Sequence, residues 1–242
     1  MLPDETGSAF KAKGLHALAI TDGEVNFLWW FIQGSIMNPE TWEKLTRGGG
    51  FCERHAWVHL SIEIAFRQQY LLGPAILYRA LIEQALRAFD APQRISAARL
   101  VRRLKPGGPC FLCDMKLHAA SAGVSPQKRL DQGRNLGALR TFAAELEPLW
   151  RDSICGSCGK VRNELPGGKR CRRHLLFDVR AGRQVDLRAQ QVTLKELALQ
   201  LDRYEHSFSW DRRALASQVD RASLISAIGW CSSWRPLLAL LG

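Results

Sequence analysis

Six of the seven cysteines and two of the six histidines of this chain fall into four pairs, each with two residues between its members: Cys52/His55, Cys110/Cys113, Cys155/Cys158 and Cys171/His174. Ligands grouped this way tie separate segments to a shared ion, which narrows the folds open to the chain more than its periodicity does. A structural zinc ion takes four thiolate or imidazole ligands in a tetrahedron, with sulfur at about 2.3 Å and nitrogen at about 2.0–2.1 Å. One CxxC turn supplies two of the four. A CxxH on the first turn of a helix supplies the others, because that spacing brings both side chains to the same helix end. Each site is then Cys₃His, and the chain carries ligands for one or two Zn²⁺ ions.

The stretch "CGSCGKVRNELPGGKRCRRH" (155–174) predicts a local site of Cys155, Cys158, Cys171 and His174, with twelve residues between its pairs, among them a turn-forming "LPGG". Gly156 and Gly159 suit a tight knuckle, and the neighbouring lysines and arginines favour thiolate. The remaining ligands, Cys52, His55, Cys110 and Cys113, close a second site by docking an earlier helical hairpin on a later segment. A rival pairing joins Cys110 and Cys113 to Cys171 and His174, leaving Cys155 and Cys158 to other partners. Loop-closure entropy grows only with the logarithm of length and separates the two pairings by about 1 kcal/mol, so both stay open. His59, four residues after His55, reads either as a further ligand or as a packed core histidine. Cys231 reads as a buried small hydrophobe.

The rest of the chain is patterned as helix. "VNFLWWFIQGSIM" (25–37) is apolar nearly all round and stops at "NPETWEKL", where Asn38 caps and Pro39 opens a second helix. After "RGGG" (47–50), "FCERHAWVHLSIEIAFRQQYLLG" runs at helical spacing until Gly73 and Pro74 end it, and "PAILYRALIEQALRAF" completes a hairpin. "APQRISAARLVRRLKPGGP" is a basic connector ending in a Pro-Gly-Gly-Pro break, "SAGVSPQKRLDQGRN" a loop and "LGALRTFAAELEPLW" a helix. Two more helical patterns follow, one with Thr193 and Glu196 as a capping box. The expected fold class is mostly α: helical hairpins or a bundle with two small CxxC…CxxH zinc-knuckle-like sites. The expected division is an N-terminal helical region, 1–93, with the "FCERH" pair, and a basic Cys/His region, 106–242, with C-terminal helices.

Eight basic and ten acidic residues precede position 94, whereas 26 basic and 13 acidic follow, so the second part carries +13 against −2 for the first, a formal net charge of +11. Charge concentrated in this way attracts nucleic acid, an acidic protein face or an anionic membrane surface, without choosing among them. The candidate phosphate contacts are Arg102 and Arg103, on one helical face with Arg99 and Lys105, and Arg162, Lys169, Arg170, Arg172 and Arg173 around the local site. Such contacts set affinity and salt dependence more than sequence choice; the bland reading is a solvated surface. Two other expectations are a protein-interaction adaptor using Trp29, Trp30 and Trp234, set against plain core packing, and a redox-sensing zinc-thiolate regulator. The reading leans away from an enzyme. Four protein ligands leave no coordination position for water, and the sequence holds no GxxxxGK[ST], GxSxG or HxE…PCxxC pattern. No apolar run reaches the ~20 residues of a spanning helix, and "MLPDETGSAF" is acidic where a secretory signal is basic and then apolar. The expectation is a cytoplasmic protein without a membrane partner, its thiols reduced and available to metal.

The stretches "NPETWEKL", "GGGFCERHAW", "GPAILYRALIE", "CFLC", "CRRHLL" and "LALQLDRYEHSFSW" together resemble an uncharacterised bacterial family of paired CxxC/CxxH zinc-binding helical proteins. The resemblance extends loosely over most of the chain and implies metal and a helical fold without implying an activity. That family also has a CxxC near the N-terminus to complete a site with the first CxxH, but the corresponding "GLHALAITDG" has no cysteine. The departure implies that the site of Cys52 and His55 is rebuilt with Cys110 and Cys113, uses His16, or is lost, and that "CGSC" is an addition.

Overall fold

Thr21 starts the first helix, α1 (Asp22–Phe31). Its hydroxyl accepts a hydrogen bond from the Glu24 backbone N–H, and the Glu24 carboxylate accepts one from the Thr21 N–H, a reciprocal pair that satisfies two of the donors a helix start leaves free. The computed structural model describes residues 18–67, 70–89, 97–117, 125–160, 169–209 and 216–242, which form helices and their connections with no strand among them. A 3-10 turn (Ser35–Met37) leads to α2 (Pro39–Arg47), where the Asn38 side chain accepts from the Glu40 and Thr41 N–H groups, as Asn-Pro predicts. Gly49 and Gly50 then take φ of +70° and +87°, and a Cβ on Gly50 would stand 2.7 Å from Leu81 Cδ1. Only glycine fits that turn, which delivers the chain into α3 (Glu53–Arg67). Gly73 and Pro74, expected to end a helix, lie instead in the first turn of α4 (Leu72–Phe89). Proline is tolerated there because the first N–H groups of a helix have no partner within it.

The chain continues through α5 (Ala97–Leu104), α6 (Phe111–Asp114), α7 (Gln127–Arg134), α8 (Gly137–Glu145), α9 (Glu147–Trp150), α10 (Gly156–Gly159), α11 (Arg172–Arg180), α12 (Leu187–His206), α13 (Gln218–Ser232) and α14 (Arg235–Leu241). Helix α7 falls in the stretch expected to be a loop. Its Gly133 is a point of close approach, where a Cβ would stand 2.5 Å from Val25 Cγ1 of α1. Helix α12 begins six residues before Thr193: Asp186 caps it by accepting from the Ala189 N–H at 2.9 Å, and the Thr193 hydroxyl donates to the Ala189 carbonyl inside the helix. Ser217 and Asp220 form the second reciprocal box, at the start of α13.

Two helices occupy the centre. Residues 55–64 of α3 are all buried, as are nearly all of residues 222–232 of α13, which is the burial an element apolar around most of its circumference demands. Helix α3 packs on α1, α7, α8, α13 and α14, while α13 also meets α4, α9, α11 and α12, so one continuous core draws on segments before and after the Pro-Gly-Gly-Pro break. Each fully buried leucine or isoleucine in it contributes about 1.5–3 kcal/mol. The corner between α13 and α14 is packed by Trp234, only 1% exposed, which stacks on Trp150 at 5.5 Å and rests on Gly229. This corrects the expectation of Trp234 as a partner contact, since its ring closes the core. Trp29 is half-buried beneath the Arg129 guanidinium at 3.7 Å, and Trp30 is 56% exposed.

Candidate metal centres

All four Cys/His pairs begin at a helix start. Cys110, Cys155 and Cys171 are the N-cap residues of α6, α10 and α11, and the Cys52 carbonyl accepts the first α-helical hydrogen bond of α3, from Ala56. The second member of each pair is three residues on, where a side chain turns back toward the cap. Thiolates placed there also gain from the free N–H groups and the positive end of the helix dipole. The CxxC and CxxH patterns are therefore one local device, used four times.

The first cluster joins Cys52 and His55 of α3 to Cys110 and Cys113 of α6, with their ligand atoms all within 4.8 Å of one another. His55 Nδ1 lies 3.4, 3.5 and 3.3 Å from the sulfurs of Cys52, Cys110 and Cys113, and the Cys52 and Cys113 sulfurs are 3.8 Å apart. A tetrahedron built on zinc bond lengths has edges of about 3.8 Å between sulfurs and about 3.6 Å from sulfur to nitrogen. The distances fit that figure and are far beyond the ~2.05 Å of a disulfide. The Pro-Gly-Gly-Pro break positions α6: the Gly107 N–H donates to the Arg47 carbonyl at the end of α2.

Behind this cluster stands a residue the sequence pattern did not single out. His55 Nε2 lies 2.9 Å from Oε1 of Glu24, which is fully buried. Burial alone would raise the Glu24 carboxyl, but hydrogen bonds from Arg54, His55 and Thr21 outweigh it and hold the group well below the usual carboxylate range. The same carboxylate thus closes the capping box of α1, pairs with Arg54 and orients the imidazole, the carboxylate–histidine arrangement that accompanies metal-ligating histidines. Thr21 Oγ1 also donates to the Leu117 carbonyl just after α6. The available signal, "TDGE", a Thr-x-x-Glu ahead of an apolar run, marks the capping box but not the contact with His55.

The second cluster is the local one, Cys155, Cys158, Cys171 and His174. His174 Nδ1 is 3.3, 3.4 and 3.2 Å from the three sulfurs, and the Cys158 and Cys171 sulfurs are 3.8 Å apart. The Gly156 N–H donates to the Lys169 carbonyl and ties the two halves together. All three sulfurs are buried here, whereas Cys113 of the first cluster is exposed and Cys52 and Cys110 are half-buried. The rival pairing of Cys110 and Cys113 with Cys171 and His174 is not the one the fold makes.

Each cluster favours thiolate at one of its sulfurs. A hydrogen bond from Cys110 is the largest influence on Cys52 and brings its thiol down to about 3, while the same contact and burial push Cys110 up; burial and then the Cys52 charge push Cys113 up. In the second cluster hydrogen bonds from Cys158 and Cys171 pull Cys155 down, and the reciprocal contacts push Cys171 up. Burial would lower His174, but Cys155 and Cys158 outweigh it and carry the imidazole to about 9. Local donors stabilise only part of the negative charge that three thiolates would carry, so each cluster could hold a metal ion.

The two clusters are linked through Ser233. Its Oγ lies 3.6 Å from Cys158 Sγ and donates to Glu53 Oε1 at 2.8 Å, and Glu53 Oε2 accepts from Arg173 at 2.9 Å. Ser233 is buried and holds φ at +104°, a conformation L side chains rarely adopt, while its carbonyl accepts from Trp57 Nε1. Several of the basic candidates are also engaged inside the protein: Arg170 pairs with Asp178 at 2.6 Å, Arg172 donates to the Gly49 carbonyl and Arg173 pairs with Glu53. Arg102 and Arg103 are exposed on α5, Lys169 is half-buried, and Arg162 and His16 lie outside the described residues. His59 is fully buried between Phe31 and Phe51, away from the ligand atoms, and Cys231 is a buried thiol that belongs to neither cluster. No protein-family model matches this chain, and the searches of curated proteins and of solved structures found no match, so the functional reading rests on the geometry of its own residues.

Proposed function

We propose that the clusters are structural zinc sites that cross-brace a helical binding protein, and that its basic second half contacts an anionic macromolecule, nucleic acid before an acidic protein. One observation carries the zinc reading: three sulfurs and one imidazole nitrogen stand at tetrahedral spacing in each cluster, filling every position zinc offers. A soft S₃N set selects zinc over the hard cations magnesium and calcium. A filled coordination sphere shapes the chain and leaves no site for a substrate, which supports binding over catalysis. The nucleic-acid reading rests on α5, whose Leu100 and Leu104 are buried while Arg102 and Arg103 face solvent, and on the excess of basic residues after position 94. We place the protein in the reducing cytoplasm; no helix among the described residues is long and apolar enough to cross a membrane.

Elemental analysis of the purified chain with filter binding to DNA and RNA at two salt concentrations tests both parts. Two equivalents of zinc and a retention that falls steeply with salt are expected. Absence of retention at low salt overturns the nucleic-acid part alone, and less than one equivalent of any metal overturns the zinc part. The exposure of Cys113 favours one further reading, in which the first site also acts as a redox sensor whose oxidation releases zinc.

A further inference from the structure

A cleft of about 790 Å³ opens between the starts of the two CxxH helices. Its floor is apolar and deep: Phe51, Leu176, Cys231 and Ser232 line it and are each only 2–8% exposed. Pro236 and Ala239 of α14 close one side, and Phe177, 48% exposed, stands on another. Around this floor lie Arg54, Lys105, Arg172, Arg173 and Arg180, with Glu53 the one carboxylate.

The existing partners divide these charges. Arg54 is committed to Glu24, Arg172 to the Gly49 carbonyl and Arg173 to Glu53, both of whose oxygens are occupied. Lys105 and Arg180 are exposed and have no carboxylate partner among the described residues. The lining therefore combines a buried, largely apolar floor with two cations, Lys105 and Arg180, that no carboxylate among the described residues neutralises. A volume within the ~300–1,000 Å³ of small-molecule sites, with floor residues already removed from solvent, fits an enclosed ligand better than a flat partner surface.

We propose that this cleft binds an amphipathic carboxylate, of which a medium-chain fatty acid is the simplest form. Its hydrocarbon lies against Phe51, Leu176 and Phe177, and its carboxylate meets Lys105 and Arg180 at the mouth. Cys52 of the first cluster also lines the cleft and Lys105 continues the basic face of α5, so the site adjoins both, and it is tested with zinc bound and with no nucleic acid present.

Calorimetry on the zinc-loaded full chain, with laurate, dodecyl phosphate, dodecanol and acetate as probes below their aggregation limits, tests it. Laurate is expected to bind one to one, dodecanol about tenfold more weakly and acetate without measurable heat. Lys105→Gln with Arg180→Gln should weaken laurate about tenfold and leave dodecanol unchanged, because only the ionic contacts are lost. Ala239→Phe, which projects from the α14 side into the cleft, should abolish both, with helix content and zinc content unchanged. Equal affinity for laurate and dodecanol, preference for dodecyl phosphate over laurate, or indifference to the double variant overturns the assignment. Displacement of laurate by an acidic amphipathic peptide that binds more tightly overturns it in favour of a protein partner.

Discussion

Glu24 shows at the scale of one residue how a metal ligand is fixed by something that is not a ligand. Its carboxylate holds the His55 ring so that Nδ1 faces three sulfurs, and it is itself held by Arg54 and Thr21. Glu24→Gln keeps the shape but removes the charge, so the first site should lose about 10- to 100-fold in metal affinity while the second is unaffected, measured by competition with a chromophoric chelator. Equal weakening of both sites would show that Glu24 acts on the fold in general. The ligands themselves were readable from spacing because cap and third-residue positions are set locally; Glu24 and Ser233 were not, since their roles depend on helices meeting in space. Glu63 offers a test of another kind. It lies buried beside Arg67 and 3.9 Å from neutral His59, and burial pushes its carboxyl up to about 8, against which Arg67 acts only weakly. At this group the folded protein retains a proton that the unfolded chain releases near pH 4.5, so the contribution of Glu63 to stability is lost as pH rises from there toward 8, whereas neutral His59 contributes the opposite trend between about pH 3 and 6.5. Glu63→Gln should raise the melting temperature relative to wild type at pH 8 and change it little at pH 4.5; the same gain at both values would remove ionisation as the cause.

At the scale of the element, the helix starts explain both what the sequence revealed and what it hid. Asn38 was legible because Asn-Pro leaves few other conformations, whereas Thr193 misled because a hydroxyl three residues before a glutamate also occurs inside a helix, bonded to the preceding turn. Helix α7 was hidden by the Gly, Ser and Pro residues just before it and by Gly133 within it; tertiary contact selects helix there because Gly133 lets α7 approach α1. The end of α13 tests a different device. Ser233 combines an unfavourable φ with hydroxyl contacts to Cys158 and Glu53, so Ser233→Ala loses the contacts and keeps the strain, and Ser233→Gly loses the contacts and relieves the strain. Chemical denaturation should find the glycine variant more stable than the alanine variant by about 1 kcal/mol. The reverse order would mean that the corner is held by packing around Trp234 and that the backbone conformation costs little.

For the molecule as a whole, the two clusters differ in reach and in exposure. The first joins the start of α3 to α6 across the basic connector, and the second closes a short local loop against the α13–α14 corner, with Ser233 and Glu53 between them. The twelve-residue spacing favoured the local closure, but loop entropy discriminates so weakly that the distant one stayed open in the sequence; contacts of the segment around α6 with α1 and the end of α2 settle it. Oxidation should follow exposure. If the proposed zinc ions are bound, peroxide should meet exposed Cys113 first and loss of one thiolate ligand should release the first ion, whereas the three buried sulfurs of the second site are shielded. Zinc release followed against peroxide dose, with mass spectrometry of the cysteines at each step, should therefore give two stages, with oxidation at Cys52, Cys110 and Cys113 before any at Cys155, Cys158 or Cys171. Cys158→Ser supplies the control, because it should carry the first ion alone and show only the early stage. A single stage in wild type, with both sets of cysteines modified together, would mean that the ions leave as a unit and that the Ser233–Glu53 link couples them more strongly than exposure separates them.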